Sequence, residues 1–142
     1  MKLLKDILLN VAIEQVVGST SVEVEALSFD SRTVSKSTCF IAIRGEKANG
    51  HHFITKAIDS GASAIICDTL PEQLMSNVTY IRVDDTRVAL AHLANNYYNQ
   101  PSQKLQLVGV TGTNGKTTVS SLLFQLFKDL GFSVGLISTV VI

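Results

Sequence analysis

The residues predict an α/β protein: a small N-terminal α/β domain over 1–104, followed by the first βαβ unit of a second, truncated domain over 105–142. Three observations carry this. Apolar runs of strand length alternate with segments of helical period through the first hundred residues. A polar, proline-containing stretch, "NQPSQK" from Asn99 to Lys104, then interrupts them. Beyond it, a single strand–helix–strand pattern closes the text. Hydrophobic residues make up 46% and charged residues 17% of the 142, enough to build a core and too apolar for disorder. The formal net charge is zero, so no global field draws the protein to nucleic acid or anionic lipid. No apolar run has the length of a membrane span, so no membrane partner is expected.

In chain order, "MKLLKDILLN" sets Asp6 within its apolar stretch and reads as a short amphipathic helix, not a signal peptide. "VEVEAL" from Val22 alternates with period two, as a strand with one wet face does. "CFIAIRG" is a short buried strand ended by Gly45. "HHFITKAIDSG" puts Phe53, Ile54, Ala57 and Ile58 on one helical face, with Gly61 at the end. "ASAIICD" is a further buried strand, and "TYIRVDD" alternates again. "TRVALAHLANNYYNQP" sets Leu90, Ala94 and Tyr97 in helical register, with Pro101 just past the end. Cys39 and Cys67 lie in apolar strands and read as buried, reduced thiols, which suits the cytoplasm. Neither they nor His51, His52 and His92 have zinc-site spacing.

The segment "LVGVTGTNGKTTVSSLL", Leu107 to Leu123, looks like a phosphate-binding loop with one departure. Val110 stands where the Gly-x4-Gly-Lys-Ser/Thr pattern has its first glycine. The physical requirements are still met. The strand "LQLVGV" delivers the loop, and Gly112 and Gly115 let the backbone curl so that its N–H groups converge. A helix begins at Lys116, its positive dipole end facing the anion. Val119, Leu122, Leu123, Leu126, Phe127 and Leu130 give that helix its apolar stripe, and Gly131 closes it. Lys116 reaches the β/γ-phosphates and is the catalytic candidate, while the Thr117 hydroxyl is the candidate Mg²⁺ ligand. The plainer alternative is a glycine-containing turn with a surface lysine. Asp68, Asp84 and Asp85 read as strand-end and turn residues, not metal ligands. "SVGLISTVVI" forms the second strand and carries no acid.

"GVTGTNGKTT" resembles the ATP loop of the Mur ligases, the cytoplasmic amide-forming enzymes of peptidoglycan precursor synthesis. That family also lacks the usual first glycine, which accounts for Val110. Upstream, "FDSRTVSKSTCFIAIRGEKANGHHFITKAIDSGASAII" is similar to the family's N-terminal domain, with Asn49 where aspartate is common. The resemblance runs from about Leu27 to the end. It is strongest to members that add the third residue, usually meso-diaminopimelate or L-lysine, to UDP-N-acetylmuramoyl-L-alanyl-D-glutamate. MurF-type members more often carry serine in place of Thr113. The final Val141-Ile142 stands where some relatives have Gly or Asn.

This resemblance implies a mechanism and a set of residues. ATP phosphorylates the substrate carboxylate, and the incoming amine attacks the acyl phosphate to give amide, ADP and phosphate. Gly112, Thr113, Asn114, Gly115, Lys116, Thr117 and Thr118 would hold ATP, with Mg²⁺ at Thr117. Phe29 and Ser31 match residues that hold the UDP end of the substrate, and Glu46, Lys47 and Ala48 match the loop that wraps it. The substrate would span the two domains, its reacting end near Lys116. Alternatively, Ser31 is a capping hydroxyl, "EKANG" is a solvated turn, Asp30 and Arg32 form a local ion pair, and His51 is structural, with nothing nearby to orient it as a base. The family's remaining parts, including further metal ligands and a diamino-acid-binding domain, are not among these residues, so the 142-residue chain is expected to be inactive alone. Two other function classes stay open: a phosphate-loop phosphotransferase or GTPase, and a non-catalytic uridine-nucleotide-binding module.

Overall fold

Short apolar runs have little wet face to offer, and the main sheet is built from three of them, with Arg82 of the third as their one charge. The computed structural model describes residues 1–45 and 48–139. β5 (Thr38–Ile41), β6 (Ala62–Cys67) and β7 (Thr79–Val83) lie parallel and adjacent. β4 (Ala26–Ser28) extends the sheet parallel to β5, and β2 (Ile13–Val17) closes the other edge antiparallel to β7, in the order β2-β7-β6-β5-β4.

Because strand side chains alternate, this sheet feeds two cores. Cys39, Ile41, Ala64, Ile66, Ile81 and Val83 point to one side. They pack with Leu4 and Ile7 of α1 (Leu4–Ile7) and with Ala89 and Leu93 of α3 (Thr86–Tyr97). Phe40, Ile65, Cys67 and Tyr80 point to the other, against Ile54 and Ala57 of α2 (Ile54–Asp59). The register aligns Phe40 with Ile65 and Ile65 with Tyr80, and on the opposite face Ile41 with Ile66 and Ile66 with Ile81. Both cysteines are free and buried, and burial pushes their thiols up, Cys39 to about 12 and Cys67 to about 11. They are inert packing groups at neutral pH. No helix among the described residues is long and apolar enough to cross a membrane.

Several local expectations change. "VEVEAL" is not one strand. It splits at Glu25 because its halves have different partners: β3 (Glu23–Val24) pairs antiparallel with β1 (Lys2–Leu3), while β4 joins the main sheet. Glu25 itself bonds elsewhere, its N–H to Ser37 O and its carbonyl to the Tyr97 hydroxyl. β2 is a strand without a period-two pattern, since "IEQVV" lies at an exposed edge and buries almost none of its side chains. Gly50–Phe53 is a 3-10 turn, so α2 begins only at Ile54 and Phe53 stays partly exposed. The inward stripe of α3 is Thr86, Ala89 and Leu93, with Leu90 and Tyr97 at its margin.

Residues Leu105–Ile142 form a separate compact unit from Met1–Lys104. α4 (Lys116–Asp129) starts and ends where the stripe predicts, and Gly131 follows it at φ +86°. The two flanking apolar segments form no ladder among the described residues. A strand is defined by a paired neighbour, and neither segment has one among the described residues. Leu107 and Ile137 are accordingly almost fully exposed, as are much of Leu122, Leu126 and Leu130 on α4.

The Asp85 carboxylate caps α3, accepting from the Arg87 N–H at 2.7 Å and the Val88 N–H at 3.2 Å. Replacing it with alanine is expected to cost about 1 kcal/mol. That would lower the melting temperature of the 1–104 unit by roughly 4–8 °C, as followed by circular dichroism.

Candidate functional site

Parallel strands present their carboxyl ends along one edge, and in open α/β sheets that edge is where ligands bind. Here, besides the short Asp84–Asp85 link from β7 into α3, it carries three longer loops: Phe29–Thr33 after β4, the residues from Ala42 to Asn49 after β5, and Asp68–Pro71 after β6. The first is a tight polar turn. The Ser28 hydroxyl meets Thr33 Oγ1 at 2.8 Å, and the Asp30 carbonyl accepts from the Thr33 N–H at 3.1 Å. Arg32 grips Asp30 through Nε and Nη2, the latter at 2.7 Å. This guanidinium hydrogen bond holds the Asp30 carboxyl at about 2. Asp30 and Arg32 are therefore a local pair that shapes the turn. Ser31 is buried within it, while Phe29 projects with 63% of its surface exposed.

The second loop is a short hairpin. Arg44 and Asn49 form an antiparallel bridge, the Gly45 N–H donates to the Ala48 carbonyl at 2.9 Å, and the Gly50 N–H donates to Ile43 O at 2.8 Å. Ala48 is exposed at its tip side. Glu46 and Lys47 lie outside the described residues.

A polar cluster that the residue order did not reveal ties this hairpin to the third loop. Arg44 donates to both Asp68 oxygens, at 2.8 and 2.7 Å, and to Thr69 Oγ1 at 3.0 Å. His51 Nε2 lies 3.1 Å from Asp68 Oδ1 and accepts the Asp68 N–H at 3.3 Å. Its Nδ1 meets Asn49 Oδ1 at 2.9 Å. His51 thus has orienting neighbours, contrary to the expectation that nothing nearby holds its ring. Asn49 Oδ1 is an acceptor only, so Nδ1 carries the proton and Nε2 is free to accept: the neutral imidazole. Burial lowers the His51 pKa, and the opposing pull of Asp68 does not reverse it. The Arg44 hydrogen bonds hold Asp68 at about 2 despite partial burial. The only signal for this cluster in the text was a charged residue just beyond each of two neighbouring apolar strands. Arg44, Asn49, His51, Thr69 and Leu70 border a shallow cleft of about 230 Å³.

In the second unit, Gly112 at φ +150° and Gly115 at φ +75° turn the backbone directly into α4. The helix's first bond back to its cap runs from the Val119 N–H to Gly115 O at 2.9 Å. The amides of Lys116, Thr117 and Thr118 precede it and have no carbonyl within the helix to bond. Lys116 Nζ folds over the same turn, donating to Gly112 O at 2.6 Å and Thr113 O at 3.3 Å. One ammonium, a glycine-turned backbone and the open start of a 14-residue helix are thus on one short segment.

Fold and turn together define the class: an α/β protein with a polar carboxyl edge on a parallel sheet and, on a separate unit, a helix entered through a left-handed glycine turn. The model of the Mur ligase family, catalytic domain, matches residues 23–98. The UDP-N-acetylmuramoyl-L-alanyl-D-glutamate--2,6-diaminopimelate ligase of Cytophaga hutchinsonii is 49% identical over 138 residues, covering 96% of this chain and 28% of the relative. The ligase of the same name from Phocaeicola vulgatus is 45% identical over 137 residues, with the same coverage. Among solved structures, MurF from Acinetobacter baumannii superposes with a TM-score of 0.58 at 27% identity, over 75% of this chain and 23% of that one. The MurF ligase of Thermotoga maritima in complex with ADP gives 0.55 at 28%, over 76% and 24%. The chain belongs to the Mur ligase family. It spans 28% of the length of these curated relatives.

Asp68 and His51 make this cluster acid-sensitive in two windows. Both have folded pKa values below their ordinary ones, so each contributes stability above its ordinary value and loses it as pH falls through the folded one. For His51 that loss begins below 6.5, and for Asp68 it runs from 3.8 towards about 2. Urea midpoints measured from pH 7 to pH 2.5 are expected to fall in both windows. Asp68→Asn should start lower at pH 7 and flatten the second fall.

Proposed function

We propose that this chain supplies the UDP-binding end and the ATP phosphate loop of an ATP-dependent acid–amino-acid ligase. That ligase would join 2,6-diaminopimelate to UDP-N-acetylmuramoyl-L-alanyl-D-glutamate in peptidoglycan precursor synthesis, in the cytoplasm. The observation that carries the reading is the Gly112–Thr118 turn ahead of α4, in a chain 45–49% identical along nearly its whole length to ligases named for that substrate and that diamino acid. A MurF-type ligase is the weaker reading, since identity to the MurF structures is 27–28%.

The chemistry asks the loop to offset negative charge on the transferring phosphoryl group. The substrate carboxylate attacks the γ-phosphorus, ADP leaves, and an acyl phosphate forms. The amine then attacks the acyl carbon, and inorganic phosphate departs as the amide forms. Gly112, Thr113, Asn114, Gly115, Lys116, Thr117 and Thr118 are the proposed ATP-binding set. Lys116 now bonds two loop carbonyls, and phosphate oxygens entering the turn would be stronger, charged acceptors for the same ammonium. The described residues hold no group of three His, Cys, Asp or Glu placed to bind a metal. The Thr117 hydroxyl would hold a Mg²⁺ ion as one oxygen ligand, the kind of donor magnesium prefers. When bound, the ion neutralises phosphate charge. Phe29, Ser31, Glu46, Lys47 and Ala48 are the proposed UDP contacts. The exposed Phe29 ring beside a pinned polar turn supports a stacking role for it.

The test separates the two ends. In the ligase that carries this chain, Lys116→Ala is expected to lower kcat by at least about 100-fold. UDP-substrate affinity, measured by calorimetry, should stay within about twofold. Turnover surviving the substitution would overturn the assignment of Lys116. The 142-residue chain by itself is expected to show no ligase turnover.

A further inference from the structure

The hairpin after β5 is held from outside by side chains that the proposed UDP contacts do not include. Its foot is closed by the Arg44–Asn49 bridge and by Gly50, whose backbone lies so close to Ile43 that an added Cβ would sit 2.6 Å from Ile43 N and 2.7 Å from Ile43 O. Only glycine fits that approach, so the stem is rigid at its base. Its direction is set by a ring of contacts. Arg44 forks onto the Asp68 carboxylate at 2.8 and 2.7 Å, the Asp68 N–H donates to His51 Nε2 at 3.3 Å, and His51 Nδ1 meets Asn49 Oδ1 at 2.9 Å. The backbone bridge from Asn49 to Arg44 closes the ring. From the far side, Arg87 at the start of α3 donates through Nη2 to the Arg44 carbonyl at 3.0 Å. Asp68 is the shared member: it is bonded to both sides of the stem and sits directly after the buried strand β6.

We infer that Asp68 is a positioning residue, which holds the Arg44–Asn49 hairpin at the angle that presents Ala48 to the diphosphate–uridine end of the substrate. This rests on the UDP assignment proposed above. Asp68 touches no ligand in this role. Its carboxylate acts through Arg44 on one side of the stem, and its backbone N–H meets His51, and through it Asn49, on the other. A bidentate guanidinium–carboxylate pair fixes both distance and plane, so it can set an angle where a single contact would only tether. Small misplacement of a binding loop is costly in affinity.

The experiment is an NMR titration of the chain with UDP, run on the original protein, Asp68→Ala, Arg44→Lys and Ile81→Val. Ile81→Val is a core truncation remote from the stem, expected to destabilise by about 1 kcal/mol. Asp68→Ala is expected to raise the Kd for UDP about tenfold and to shift the Gly45 and Ala48 amide resonances before any ligand is added. Arg44→Lys keeps the charge, loses the fork, and should fall between Asp68→Ala and the original. Ile81→Val should lower the melting temperature yet leave Kd within about twofold, which a purely structural role for Asp68 would also predict for Asp68→Ala. If Asp68→Ala does not fold, Arg44→Ala replaces it, since that side chain is largely exposed. A folded Asp68→Ala or Arg44→Ala that binds UDP as the original does would overturn this inference alone. An original chain that does not bind UDP at all would overturn the UDP assignment, and this inference with it.

Discussion

Two-sided burial of the parallel strands is the constraint from which the first unit follows. Phe40, Ile65 and Tyr80 form one row and Ile41, Ile66 and Ile81 the other, all buried. A one-residue slip of any of these strands would move its residues to the opposite core, against partners of different shape. The register is therefore strongly specified, and with it the height at which each strand ends. That is what brings Ser28, Arg44 and Asp68 to one edge although 16 and 24 positions separate them in sequence. α1 and α3 on one face and α2 on the other cover the apolar area that drives the pairing.

The loops on that edge are stabilised in different ways. The Asp30–Arg32 pair is local and solvent-exposed, so it shapes a turn more than it adds stability. The Arg44–Asp68 pair joins loops from two strands, and Arg87 and His51 extend it to α3 and to the 3-10 turn before α2. A network of this kind resists displacement better than its separate contacts would, because each member is held by the others. The two loops proposed to meet the UDP end thus differ in origin: one is preorganised by its own sequence neighbours, the other by the rest of the unit.

The second unit shows how little tertiary context a phosphate-type turn needs. Left-handed angles at Gly112 and Gly115 and the start of α4 are local properties, and they form although the apolar segments on either side of the helix have no ladder among the described residues. The Phe127–Phe132 edge-to-face contact and the bond from the Phe132 N–H to Phe127 O finish the helix in the same local way. The exposed stripe of α4 and the near-total exposure of Leu107 and Ile137 mark where packing would act.

The sequence by itself determined whatever depends on neighbours a few residues apart. The buried strands, the extent of α4, the glycine turn before Lys116 and the change of character at Asn99–Lys104 were all legible from period, glycine placement and polarity. It determined the family as well, because two separate motifs stand in the right order. Tertiary structure decided what depends on partners far away in the chain. It split "VEVEAL" between two sheets, recruited the patternless "IEQVV" as an edge, rotated the buried stripe of α3 to Ala89 and Leu93, and gave His51 the neighbours its surroundings in sequence do not suggest. The reason is that hydrogen-bond partners of strand edges and of charged side chains are chosen by proximity in space. Arg44 and Asp68, 24 residues apart, meet only because two buried strands end side by side.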